Sequence, residues 1–229
     1  MELSEVMRTT GSIRELTDEP VAPKVLHAVL DSARFAPSGG NRQGWHVVVA
    51  RSPEVRRRLS EHYAMAWREY AAHAQAGLVP FAPGPDGHWH GPEVDLAAAR
   101  EADHPTAFAD QIVTAPVVLV VVADLRQLAV VDNGLDRQSI VGGGSIYPFC
   151  QNVLLAARDK GLAGVMTTVL CREEPAVTEL LGIPAAHALA ALIVLGHPHR
   201  HVSRLRRRAV EEFTTVDRFD GPALSRTDA

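Results

Sequence analysis

The chain has 229 residues, of which 46% are hydrophobic and 22% are charged, and its formal net charge is −4. This length fits one domain with a sizeable core, and the composition excludes disorder over the whole chain. The acidic total disfavours a nucleic-acid partner, and the longest apolar runs, such as Ala115 to Ala123, are too short to cross a membrane.

Helical and strand patterns alternate along the chain. The first helix has Pro23 in its opening turn and apolar residues at helical spacing, and Pro37 ends it. This first helix covers residues 23–36, and further helices are predicted at 53–75, 145–160 and Glu174–Leu181, with a short one near Leu96–Arg100. Runs rich in valine and other apolar residues predict strands at Trp45–Ala50, Val117–Val122, Val165–Leu170 and Leu189–Leu195.

This alternation predicts a layered α/β architecture, with helices over both faces of one sheet in a single domain of residues 1–229. The 145–160 helix is apolar nearly all round, so we expect it at the centre of the fold or in an interface. The segment 77–106 is rich in proline and glycine, which is typical of a functional or mobile insertion such as a lid. Residues 197–229 are predicted to form an extended tail.

Cysteine and histidine usage restricts the chemistry. Two cysteines and a polar first ten residues are typical of free thiols in a reducing cytoplasm. The alternating histidines of His88–His90 and His197–His201 would each need a third ligand to hold a metal, and none is indicated, so we predict no metal. The usual hydrolase, metalloprotease and phosphate-loop motifs are absent from the sequence.

Three segments carry the functional signal. They read RTTGSIR at Arg8–Arg14, APSGGNRQGW at Ala36–Trp45, and GLAGVMTT at Gly161–Thr168 together with RLRRR at Arg204–Arg208. In this order and spacing they resemble the FMN-dependent nitroreductase family over about residues 5–213, and GSIYPF at Gly144–Phe149 resembles an actinobacterial-type branch of it. The resemblance implies a three-layer α+β fold, a central mixed sheet flanked by helices, and a homodimer.

The resemblance also implies an FMN site. Ser12 and Arg14 match positions that meet the phosphate and ribityl chain, and a guanidinium suits a phosphate. The small residues after Pro37 match a loop that reaches the flavin of the other subunit, and Met166 to Thr168 match the edge at flavin N5. The implied cofactor-binding residues are Ser12, Arg14, Pro37, Ser38, Gly39, Asn41, Ser145, Met166, Thr167, Thr168, Arg206 and Arg207.

Two departures from the family pattern are visible. The family commonly has arginine or lysine where this chain has Thr10 and Gly11, and Arg8 is a candidate substitute. The family's proline after the glutamine is Gly44 here. Taken alone, the tail arginines also suit a solvated surface run, and the residues after Pro37 also suit a helix stop and turn.

The resemblance implies ping-pong electron transfer from NAD(P)H through FMN to a small, aromatic nitro or quinone-type acceptor, with no catalytic acid or base. Phe81, Trp89 and His90 of the insertion are the candidate substrate-facing residues. The alternatives are a flavin-dependent dehydrogenase, oxidase or dehalogenase of a small metabolite, and a non-catalytic flavin-binding protein. The sequence does not choose between NADH and NADPH.

Overall fold

A computed structural model describes residues 1–104, 106–202 and 204–225. The helices and strands in these ranges are α1 (Leu3–Thr9), α2 (Pro23–Ala33), β1 (Trp45–Val49), α3 (Pro53–Gln75), α4 (Leu96–Glu101), α5 (Ala107–Thr114), β2 (Val117–Asp124), α6 (Tyr147–Asp159), β3 (Ala163–Thr167), α7 (Glu174–Leu181) and β4 (His187–Gly196). Within the described ranges, no helix is both long and apolar enough to cross a bilayer.

The strands form one sheet in the order β1-β2-β4-β3, and each neighbouring pair is antiparallel. Ser12 forms an isolated parallel bridge with Gly164, on the free edge of β3. In the described residues, this bridge is the parallel pairing that makes the sheet mixed, as predicted. Because β2 and β4 lie in the middle, their side chains are buried on both faces, which explains their continuous apolar sequences.

Two helical layers cover the two faces of the sheet. Alternate residues of β2 divide between them, since Val118 and Val120 pack with α3, α5 and α7, whereas Leu119 and Val121 pack with α2 and α6. The α+β, three-layer prediction is therefore confirmed. Helix α6 buries Phe149, Cys150, Val153 and Ala157 within this chain, against the sheet and α2.

Most predicted elements are confirmed, and three features are corrected. Helices α1 and α5 were not predicted, because both are short and lack strong cap signals. The strand predicted to run to Leu170 ends at Thr167, and residues Val169–Glu173 form a 3-10 turn. The helix predicted from residue 145 begins at Tyr147, after a second 3-10 turn over Val141–Ser145. Both cysteines are free thiols, as predicted.

The end of β2 provides a test of electrostatic stabilisation. The carboxylate of Asp124 accepts hydrogen bonds from the backbone N–H of Arg126 at 3.0 Å and from its guanidinium at 2.8 and 2.9 Å. These bonds lower the pKa of Asp124 from 3.8 to about 2. The stabilisation is therefore present above pH ~4 and is lost as the pH falls towards 2.

We expect Asp124→Asn to lower the free energy of unfolding at pH 6, and the difference from the native protein to shrink as the pH approaches 2. Urea denaturation at a series of pH values measures this. Asp18→Asn, at an exposed carboxylate, is the control. A difference that stays constant from pH 6 to pH 2.5 would show that the carboxylate's charge is not what stabilises this turn.

Candidate functional site

A groove runs along the outer side of β3. It consists of two cavities, of about 490 and 560 Å³, that share Arg14, Glu15 and His199 in their walls. The smaller cavity is polar, and Ser12 and Arg200 also line it. The larger cavity is aromatic. Its other wall residues are Leu16, Tyr63, Trp67, Thr106, Ala107, Phe108 and Gln111.

The polar end is fixed by the bridge to β3. The backbone N–H of Ile13 donates to the carbonyl of Gly164 at 2.9 Å, which holds Ser12 and Arg14 beside the strand. Gly164 has no room for a side chain, because a β-carbon there would lie 2.0 Å from the carbonyl oxygen of Val194. Ser12, Arg14 and Arg200 line one cavity and supply a hydroxyl and two guanidinium groups, a donor set suited to phosphate, while Glu15 adds one acidic residue to the same wall.

The aromatic end is built by α3 and α5. Tyr63 and Phe108 pack edge to face with ring centroids 5.0 Å apart. Burial raises the pKa of the Tyr63 hydroxyl, and hydrogen bonding to Thr167 and the charge of Arg14 oppose that rise. Thr167 at the end of β3, Arg14 and Tyr63 are therefore neighbours. Gln111 accepts a hydrogen bond from the Leu16 N–H at 3.2 Å, so its amide nitrogen is a candidate donor to a ligand.

The residues predicted at the N5 edge lie where β3 ends. Met166 and Thr167 are half-buried, and Met166 packs against the core on the α2 and α6 side. The Thr167 hydroxyl accepts a hydrogen bond from the Val169 N–H at 3.3 Å, and Thr168 is exposed at the start of the 3-10 turn. The structure thus brings Ser12, Arg14 and Thr167 to one side of the molecule.

The loop that follows Pro37 lies elsewhere. The Gly39 N–H donates to the Ser145 hydroxyl at 3.0 Å, and the Gln43 N–H donates to the Ser38 hydroxyl at 2.9 Å. Asn41 has a positive φ of 52°, a backbone conformation that asparagine tolerates better than most residues. This loop leads into β1, at the opposite edge of the sheet from β3, so the predicted site residues form two separate groups in one chain.

The tail arginines do not join Arg14 in one cavity. Arg207 lines a third cavity, of about 830 Å³, together with Arg8 and Arg204, whereas none of the three cavities has Arg206 in its wall. The guanidinium of Arg207 donates to the backbone carbonyl of Arg206 at 2.7 Å. The candidate substitute Arg8 thus lines the same cavity as Arg207, and the prediction that Arg206 or Arg207 completes the phosphate clamp with Arg14 stays a prediction.

The first departure from the family pattern, at Thr10 and Gly11, has a structural explanation at each residue. The Thr10 hydroxyl donates to the Val6 carbonyl at 2.7 Å and so belongs to the end of α1. A β-carbon on Gly11 would lie 3.0 Å from Cδ2 of Leu205, because the tail packs over this position. A large cation at residue 11 would meet the tail.

The aromatic residues of the insertion form a cluster. Phe81 and Trp89 pack edge to face at 5.8 Å, and both line a cavity of about 270 Å³ that His90 also borders. His90 pairs with Asp86 at 2.8 Å. Within the described ranges, no group of three or more histidine, cysteine, aspartate or glutamate side chains is placed to hold a metal ion.

An aromatic row on α3 connects this cluster to the groove. Tyr63, Trp67 and Tyr70 follow one face of the helix, with ring centroids 6.4 and 5.0 Å apart, and Tyr70 lies 6.4 Å from Phe81. These α3 residues are not among the predicted site residues. Their spacing of four and three residues was the available signal, since it places aromatic side chains on one helical face.

A buried charge network also lies outside the predicted site residues. Glu69 on α3 is fully buried. Its carboxylate forms ion pairs with the guanidinium of Arg100, at 2.6 Å, and with that of Arg172, at 2.9 Å. Glu173 holds Arg100 at 2.5 Å and lies 3.8 Å from the imidazole of His62. This network links α3, the insertion and the 3-10 turn after β3.

The fold is shared with solved structures. The chain is similar to the structure of NADPH:FMN oxidoreductase from Vibrio harveyi complexed with NAD+, with a TM-score of 0.61 and 20% identity, over 90% of this chain and 72% of that one. At this identity the likeness shows the fold, which is nitroreductase-like, as the sequence predicted.

The Nitroreductase family model matches residues 7–197, and the chain belongs to the Nitroreductase family. It is 27% identical to iodotyrosine deiodinase 1 of Rattus norvegicus, over 92% of this chain and 68% of that protein. It is 26% identical to nitrobenzene nitroreductase of Ectopseudomonas oleovorans, over 93% and 96% of the two chains. The chain is therefore an oxidoreductase of the flavin type.

Proposed function

We propose that this oxidoreductase uses FMN to pass electrons from NAD(P)H to a small aromatic acceptor of the nitro or quinone type. The observation that carries the proposal is the groove, which is cationic at one end and aromatic at the other. A flavin mononucleotide has the same two parts, a phosphate and a flat ring system, so the residues present fit this cofactor.

Each part of the groove then has a role. Ser12, Arg14 and Arg200 would bind the phosphate and the ribityl chain, and Tyr63 and Phe108 would line the ring. Thr167 and Thr168 would offer a hydroxyl and backbone amides to the ring edge. When bound, FMN supplies the hydride chemistry, and the electron donor and the acceptor use the groove in turn, which is a ping-pong scheme.

The test is direct. We expect one FMN to bind per chain with quenching of its fluorescence, and we expect the bound flavin to bleach when NADPH or NADH is added without oxygen. The visible colour should return when a naphthoquinone or a nitroaromatic compound is then added. A protein that quenches no FMN fluorescence would contradict the cofactor, and one that binds FMN but is not reduced by either nucleotide would be a flavin-binding protein without this activity.

We also propose a homodimer, and the separation of the site residues into two groups supports it. The loop after Pro37 and Ser145 are separated from the β3 groove by the width of the sheet, about 14 Å for three strand spacings. In an isologous dimer, this loop of one subunit would complete the groove of the other. Exposed apolar side chains near the loop support such an interface: Phe35, Val130, Val131, Leu135, Ile140 and Tyr147.

We expect the native protein to sediment as a dimer at micromolar concentration and Val131→Asp to sediment as a monomer, because the buried carboxylate would lack a partner in the interface. Val131 is 84% exposed in the single chain. The matched control is Leu3→Asp, at a side chain 68% exposed on α1, and it should remain dimeric. A monomeric native protein that still binds FMN would contradict the shared site.

Reductive dehalogenation of an aromatic substrate is the second candidate function. The observation that favours it is the 27% identity to iodotyrosine deiodinase 1. The discriminating measurement is iodide release from 3-iodotyrosine by the reduced protein, compared with the rate of quinone reduction. Iodide release at the faster rate would replace our proposal, and its absence would support the nitro or quinone acceptor.

A further inference from the structure

Arg172 joins three parts of the molecule. Its guanidinium forms two hydrogen bonds to one carboxylate oxygen of Glu69, at 2.9 and 3.0 Å. Glu69 is fully buried on α3, and its other oxygen holds Arg100 of helix α4 in the insertion. Arg172 itself lies in the 3-10 turn four residues after Thr168. A buried acid thus fixes the orientation of the guanidinium.

The same guanidinium also lies over the aromatic pair of the insertion. Its central carbon lies 5.3 Å from the ring centroid of Phe81 and 5.2 Å from that of Trp89. Both distances are within the range of cation–π attraction. Phe81 has a positive φ of 55°, which a bulky residue rarely adopts, so its position is imposed by its surroundings.

The aromatic pair is continuous with the candidate site. Phe81 packs on Tyr70, Tyr70 stacks on Trp67 at 5.0 Å, and Trp67 lines the aromatic cavity of the groove. Arg172 therefore connects the turn after β3, where the ring edge of the cofactor is proposed to lie, with the aromatic pair, which lines its own cavity and adjoins the groove through Tyr70 and Trp67.

We propose that Arg172 is a positioning residue that holds Phe81 and Trp89 at the outer end of the aromatic row that leads to the groove, and so determines the enzyme's affinity for aromatic acceptors. The inference rests on the proposed function and extends it to acceptor selection. Glu69 anchors Arg172, and the aromatic pair provides the surface that a flat acceptor contacts. A small inorganic acceptor does not need that surface.

The experiment uses the FMN-loaded protein with Arg172→Ala, and two acceptors, 2-methyl-1,4-naphthoquinone and ferricyanide. We expect the KM for the naphthoquinone to rise about tenfold, because two cation–π contacts and the aligned aromatic pair are lost. The kcat values and the ferricyanide KM should change less than about twofold. Hydrogen exchange of peptides covering residues 78–91 should become faster. Arg172→Lys keeps the charge without the planar fork and should give an intermediate KM.

Two further variants separate positioning from simple loss of stability. Arg57→Ala removes an exposed arginine on α3 that pairs with Glu54 and Glu61, and it should leave both KM values unchanged. Trp89→Ala should raise the naphthoquinone KM by itself, and the double variant with Arg172→Ala should be no worse than the stronger single variant, since both changes remove the same surface.

Faster exchange with an unchanged naphthoquinone KM would overturn the proposal, because Arg172 would then only cross-link the fold. Equal losses with naphthoquinone and ferricyanide would also overturn it and would assign Arg172 to the cofactor side of the groove. Additive effects of the two alanine variants would show that Arg172 does not act through Trp89. If the native protein binds no FMN, the proposed function itself fails, which is a separate result.

Discussion

Arg14→Ala is expected to weaken FMN binding ten- to a hundredfold. Arg14 is the cationic residue common to both cavities of the groove, and it borders both Ser12 and the aromatic end. A charge-assisted hydrogen bond to phosphate contributes about 1.5–3 kcal/mol, which corresponds to that loss of affinity. Titration of FMN fluorescence measures the dissociation constant.

Riboflavin and the tail arginines are the controls. Riboflavin lacks the phosphate, so its affinity should change much less than that of FMN when Arg14 is replaced. Arg206→Ala should have almost no effect, because this residue lines neither cavity of the groove, and Arg207→Ala tests whether the Arg8 cavity contributes in the dimer. Equal losses of FMN and riboflavin affinity would place Arg14 against the ring or in the fold instead.

Glu69→Ala is expected to lower the free energy of unfolding by about 3 kcal/mol, because it leaves two arginines without their shared buried partner. This value is the lower end for a broken buried ion pair, since Arg100 and Arg172 are 37% and 33% exposed and recover some hydration. Urea denaturation of the apoprotein measures the change.

Glu61→Ala is the matched control for Glu69. Glu61 lies on the same helix and pairs with Arg57, but both side chains are about half exposed, so the loss should be below ~1 kcal/mol. Similar losses in the free energy of unfolding for the two variants would show that burial of Glu69 does not increase the contribution of its ion pairs to stability.

Local sequence patterns were sufficient to predict the elements whose apolar residues follow a regular helical or strand pattern. Helix α3 was predicted with its observed bounds because Pro53 marks its first turn and its apolar residues recur at helical spacing. The central strand β2 was predicted from its continuous apolar run. The end of β3 was not, because the β-branched residues Thr167 to Val169 favour a strand locally. Arg172 and Glu173 instead join the buried carboxylates and arginines, and the chain turns after Thr167.

The candidate site was predictable only where a motif marks it. Ser12 and Arg14 were found from the RTTGSIR segment, and the structure places both in the groove. Tyr63, Phe108 and Gln111 come from helices on either side of the insertion, and only the packing of α3 against α5 brings them together. The burial of Glu69 depends on partners 31 and 103 residues away, which no local pattern contains.

The contact between Gly11 and Leu205 makes these two positions epistatic. A β-carbon at residue 11 would lie 3.0 Å from Cδ2 of Leu205, so the leucine side chain must shift by a few tenths of an ångström for any side chain placed there. A substitution that introduces the family's arginine at residue 11 therefore has a different effect with leucine at 205 than with a smaller residue. Replacing Leu205 by a smaller residue first removes this contact before an arginine is introduced at residue 11. In the reverse order, the arginine is introduced while the contact with Leu205 is still present.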